Sequence, residues 1–187
     1  MNEIMSDIEK PNYLTKKSEN AENEFEELIK ASSFLGFDYL TADQLFSSEK
    51  CFEAVSKMHS DRLDLVAAKL NIPQESLNKL SSAVFSDKVL GIDKYFRYQG
   101  KIFGADIATG KSSSIINKRK KILEMKDVYT ALGINNTIAI RIEKEIDDDL
   151  AIIIFSLIEK ISQDPSKFYM EFRINKHENF NDVYFSY

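Results

Sequence analysis

The chain has 187 residues, 43% of them hydrophobic and 29% charged, with a net charge of -5. That balance is globular, of a size for one domain with a sizeable core, and it excludes a protein that coats nucleic acid over its whole surface. A single cysteine, Cys51, excludes an internal disulfide framework, and no apolar run approaches the roughly 20 residues of a membrane span.

In chain order, MNEIMSDIEK mixes acids and bases without an apolar signal core, so a cytoplasmic protein with no membrane partner is expected, with residues 1–19 as a flexible tail. Residues 20–187 read as one domain. Phe25, Leu28, Ile29, Ser32 and Leu35 recur at helical spacing, Gly36 supplies a stop, and Phe37 to Leu40 predicts a short strand. From Thr41 to Phe85 the pattern is helical, with Asp43, Ser48, Ser60 and Pro73 at starts or breaks, which predicts an insert over 41–86 of three or four short helices. A hairpin follows: a strand from about Val89 to Gln99, a tight turn at Gln99-Gly100-Lys101, and a second strand from Ile102 to Thr109 that stops at Gly110. Ser112 to Leu132 predicts one long helix ended by Gly133, and Asn136 to Glu143 a strand. Asp147 to Asp149 open a helix through Ile161 at the end where a helix favours negative charge. Phe168 to Ile174 and Asp182 to Tyr187 predict the last strands. The order of elements points to an α/β fold, a mixed β-sheet flanked by helices.

The hairpin carries the chemistry. Strand alternation turns Asp106 and Ala108 to one face and Phe103, Ala105 and Ile107 to the other. An aspartate inside Ile-Phe-Gly-Ala-Asp-Ile-Ala is buried or half-buried, where a carboxylate needs a metal, a cation or donors. Asp93 faces the same side if the hairpin closes in register. In the next helix the apolar stripe Ile115, Ile122, Met125, Tyr129 and Leu132, continued back four residues from Ile122, lands on Lys118. A lysine there either reaches over the acids or snorkels to solvent. Residues Lys111 to Lys126 are strongly basic with one acid, Glu124, which is either a nucleic-acid footprint or a solvated helix face. Gly110-Lys111-Ser112 is not a phosphate loop, because the glycine required five residues before Gly110 is Ala105. Cys51, without a patterned histidine partner, makes no case for cysteine catalysis.

An acid at the end of one strand, a hairpin, and a second acid followed by Thr109-Gly110 resemble the PD-(D/E)xK, restriction-endonuclease-like nuclease superfamily. Asp93 stands at the first acid of that motif and Asp106 at the second. Phe25-Glu26, ahead of Gly36-Phe37, resembles the aromatic-glutamate pair on the helix before the strands. The resemblance implies a restriction-endonuclease-like core with an N-terminal helical insert. It also implies hydrolysis of phosphodiester bonds in DNA or RNA, with Mg²⁺ or Mn²⁺ held by Asp93, Asp106, the Ile107 carbonyl and Glu26. The family's lysine position is occupied here by Ala108, which cannot move a proton. Either catalysis is lost or another lysine serves. Several branches, including the cap-snatching endonucleases of segmented negative-strand RNA viruses, look similar in placing that lysine on the following helix. On that analogy Lys118 joins Asp93, Asp106 and Glu26 as catalytic, with Lys111 and Lys121 in reserve. Some of those branches use a helical histidine as a metal ligand, and His59 with Asp61 or Asp64 resembles such a group; helix capping is the competing reading of His59. Three functions follow as expectations: a metal-dependent endonuclease, an inactive module of the same fold binding nucleic acid or protein through helix 111–126, or an interaction domain docking a partner on its insert. Pairing into a homodimer or a larger complex is compatible with each.

Overall fold

The computed structural model describes residues 20–108, 112–142, 145–174 and 181–186, with backbone alone for 112–115, 174 and 181–186. The proposed tail 1–19, Thr109 to Lys111 and His177 lie outside the described residues. Helix α1 covers 20–31. Of the predicted stripe, Phe25, Ile29 and Ser32 are buried and Leu28 half-buried, with Ala21 joining them one turn earlier, while Leu35 falls in a following 3₁₀ turn at Ser33–Leu35 and stays exposed. Strand β1 is Asp38–Leu40. The insert then runs through α2 (Ala42–Leu45), α3 (Ser48–Ser56), α4 (Ser60–Leu70), a 3₁₀ turn at Gln74–Lys79 and α5 (Ser82–Val84).

The first correction falls between α5 and the hairpin. Val89 does not open a strand: Phe85–Leu90 form a π-helical turn that buries Phe85, Val89 and Leu90 and ends on Gly91 at φ +64°. Side-chain hydrogen bonds fix the end of this turn and the segment after it. Tyr129 donates to the Leu90 carbonyl at 2.8 Å and Ser86 to the Ile92 carbonyl at 3.1 Å. An apolar Val-Leu run fits a buried helix end as well as a strand, and tertiary packing decides between them.

Strand β2 is therefore Lys94–Tyr98, paired antiparallel with β3 at Lys101–Ala108. The loop is Gln99-Gly100, with φ of +51° and +73°, the two positive values that a two-residue hairpin of right-handed strands requires. Next come α6 (Ser112–Glu124) and α7 (Lys126–Ala131), so the single long helix expected over 112–132 is broken at Met125. Met125 leaves helical geometry at ψ 5° yet stays buried, so the break lets the apolar stripe keep following the sheet. Strands β4 (Asn136–Ile142), β5 (Tyr169–Ile174) and β6 (Asn181–Ser186) and helix α8 (Asp148–Gln163) complete the order. Asp147 caps α8 by accepting from the Leu150 N–H at 2.8 Å.

The six strands lie in the order β1-β2-β3-β4-β5-β6. Pairs β3–β4 and β4–β5 are parallel and the others antiparallel, so the sheet is mixed. Alternation splits the core as strand geometry demands. On one face Phe96, Phe103, Ile107, Ile140 and Phe172 meet α1 and α8; on the other Tyr95 and Tyr169 meet the insert, α6 and α7. The fold is thus a sheet between two helical layers. Among the described residues no helix is long and apolar enough to cross a membrane.

Candidate functional site

The hairpin register places the two acids. Lys94 pairs with Ala105, so Asp93 is next in line opposite Asp106, and its N–H bonds the Ala105 carbonyl at 3.0 Å. Asp106 lies on the face of β3 turned to α6 and is 1% exposed. Two lysines one turn apart on α6 meet it. Lys118 donates to Oδ1, and Lys121 donates to Oδ2 at 2.7 Å and to the Gly91 carbonyl at 2.7 Å. Glycine at 91 makes this possible, since a Cβ there would stand 2.7 Å from the Lys121 ammonium.

Asp93 is held differently. Its Oδ2 accepts the Ile107 N–H at 2.7 Å, tying the two strands together beside Asp106. Burial pushes its carboxyl up to about 7, the charge of Asp106 pushes the same way, and the Ile107 hydrogen bond only partly opposes them. Its charged form is thus disfavoured by lost water first and by the neighbouring carboxylate second.

The structure brings Asp93, Asp106 and Lys118 together, and draws in the reserve Lys121. Glu26 is elsewhere engaged: its oxygens pair with Lys30 and Lys94, each at 2.6 Å. Those hydrogen bonds hold its carboxyl down at about 2. The acid of α1 that reaches the cluster is Glu22, one turn earlier, which shares a cleft of about 270 Å³ with Asp87, Asp93, Lys94 and Tyr95. Burial raises its pKa, and it feels the charges of Lys94, Lys118 and Asp106. Helix phase favours Glu26 over its neighbours Glu24 and Glu27; the same phase carried back one turn reaches Glu22, which the sequence reading did not weigh. Ile107 pairs with Ile140 and offers its N–H to Asp93. His59 stands at the N-cap of α4 without a side-chain cap bond and lines a separate cleft with Asp61, Arg62 and Glu124. Ala108 is buried at the end of β3.

A second buried acid lies across the same face. Register sets Asp106 beside Ala139 and Ala139 beside Glu171. Glu171, wholly buried, takes two bonds from Arg119 at 2.7 Å, one from Tyr169 at 2.8 Å and one from Arg173 at 3.4 Å. Burial alone would raise its pKa, but these donors and charges outweigh it and hold it below the usual carboxylate value. Glu171→Gln is expected to cost about 1.5 kcal/mol, the worth of a charge-assisted acceptor, as a lower urea midpoint at unchanged slope.

The donors fit a hard divalent cation in kind, since Asp93 and Asp106 are adjacent carboxyl groups on neighbouring strands. In number they are two: among the described residues no group of three or more His, Cys, Asp and Glu is placed to hold a metal ion. Two carboxylates are an ordinary protein share for Mg²⁺, which keeps waters and takes substrate phosphates as its other ligands. Both Asp106 oxygens already accept from lysine, yet each carboxylate oxygen keeps a second lone pair. The fold and site thus define an α/β protein whose mixed sheet carries an acid pair under two helical lysines. No family model matches the chain, and no curated protein or solved structure is significantly similar to it.

Proposed function

We propose that the chain is a divergent nuclease of the PD-(D/E)xK type, using Mg²⁺ or Mn²⁺ to hydrolyse phosphodiester bonds in DNA or RNA. The observation that carries this reading is the meeting of Asp93, Asp106 and Lys118 from a hairpin and the helix after it, in the chain order the resemblance implies. Asp93 and Asp106 would hold the ion, with Glu22 replacing Glu26 as the nearby acid of the outer helix. When bound, the ion supplies charge neutralisation at the phosphate and a water made nucleophilic at neutral pH. The chain's own part is positional. The Ile107 N–H fixes Asp93, Lys121 fixes Asp106 against Gly91, and Lys118, more exposed than Lys121, orients water or steadies charge developing on the phosphate. Lys118 thereby compensates for Ala108.

One observation favours the second reading, an inactive module binding nucleic acid or a protein: both oxygens of Asp106 are already bridged to ammonium groups. Cleavage of mixed DNA and RNA with Mn²⁺ separates the two. The wild type is expected to cut, Asp106→Asn to lose at least about 100-fold in rate, and Lys118→Ala to lose a similar factor. Cleavage by highly purified protein that survives both substitutions overturns the nuclease reading.

A further inference from the structure

Ala108 does not end its row of the sheet. The parallel register sets it beside Arg141 of β4, and Arg141 beside Arg173 of β5. All three belong to the face that carries Asp106, Ala139 and Glu171, because Ile107, Ile140 and Phe172 between them point into the opposite core. This row lies at the C-terminal ends of three neighbouring parallel strands, the edge where open α/β sheets take their ligands. Strand spacing puts consecutive residues of the row about 4.8 Å apart, and the diagonal from Asp106 to Arg141 is roughly 8 Å between α-carbons, within reach of an extended arginine.

All three arginines are half-buried, and two of them, Arg119 and Arg173, are anchored on Glu171. Glu171 holds the guanidinium of Arg119 by two bonds and touches Arg173 by a third, and Arg119 remains 34% exposed. An arginine fixed this way loses little freedom when it takes a phosphate oxygen, and its planar fork matches that ligand. On the other side of Asp93 the cleft mixes Glu22 and Asp87 with Lys94. The row at β4 and β5, with Arg119 above it, sets three arginines against the single acid Glu171.

We infer that Arg141 and Arg173, with Arg119 braced by Glu171, form a phosphate-positioning track that carries the backbone of a nucleic-acid strand from the acid pair across the ends of β4 and β5. The inference rests on the nuclease reading for the place where the strand is cut, but it concerns binding and is tested apart from cleavage. Ala108 itself carries no charge, and the cation level with it is Arg141 on the neighbouring strand.

The test is fluorescence anisotropy of a labelled single-stranded oligonucleotide with full-length protein in EDTA, titrated at several KCl concentrations. Arg141→Gln and Arg173→Gln are each expected to weaken binding about tenfold and to lower the magnitude of the log–log salt slope by about 0.7, the share of one phosphate contact on a single strand. Arg97→Ala, on β2 away from the track and paired with Asp38, is expected to leave both unchanged. Circular dichroism melts accompany each variant, and Arg141→Lys, which keeps the charge, is expected to restore the slope should the glutamine variant unfold. Wild-type slope in both folded glutamine variants, or no binding by the wild type, overturns the track. Arginine-dependent binding by a protein that does not cut would retain the track and remove the nuclease reading, and cutting indifferent to both arginines would do the reverse.

Discussion

Replacing Lys118 and Lys121 together by alanine is expected to lower the unfolding free energy by about 3–5 kcal/mol, the cost of leaving a buried carboxylate without its cations. Asp106 is 1% exposed and its ion pairs are to these two ammonium groups. The reverse change costs less. Asp106→Asn removes the buried charge itself, and the stranded lysines, 26% and 17% exposed, can turn toward water. Roughly 1–2 kcal/mol is expected there, the loss of charge-assisted hydrogen bonds alone. Urea unfolding near pH 7.5 without divalent metal measures both. A double-lysine variant more stable than Asp106→Asn would show that Asp106 does not depend on these lysines.

The second large effect is on pH. The Asp93 carboxyl rises from 3.8 to about 7, through burial first and the charge of Asp106 second. Between those values the folded protein keeps a proton that the unfolded chain has released, so the folded state binds more protons and stability falls as pH rises. The contribution is complete below about pH 4 and is lost by about pH 7. For a half-buried group it amounts to roughly 2–3 kcal/mol. Metal-free wild type is therefore expected to lose stability relative to Asp93→Asn across that window, and the difference between the two reports Asp93 together with its coupling to Asp106 and Glu22. Glu22, also raised by burial, adds with the same sign in both proteins. Parallel stability curves for the two would contradict the burial of Asp93 beside Asp106.

Much of this was legible in the residues because local physics determined it. Alternation fixed the two faces of β3, the helical stripe through Ile122 and Met125 pointed to Lys118, and Asp147 announced the start of α8. What could not be read was decided at a distance. Val89 and Leu90 suit strand and helix alike, and the π-helical turn is held from a distance by Tyr129, which catches the Leu90 carbonyl. Glu22 and Glu26 share an edge of α1, and Lys94, a residue of another element, draws Glu26 away. The Arg141–Arg173 row depends on the pairing of three strands, which no single segment encodes.

The central claim is that Asp93 and Asp106 together take a divalent ion. A Mn²⁺ titration followed by thermal unfolding at pH 7.5 tests it most directly, because a ligand that binds only the folded state stabilises in proportion to the logarithm of its concentration. The wild type is expected to gain about 2.7 kcal/mol when Mn²⁺ exceeds its dissociation constant 100-fold, and Asp93→Asn and Asp106→Asn to gain nothing over the same range. Equal stabilisation of wild type and both variants, or none in the wild type, would contradict the claim.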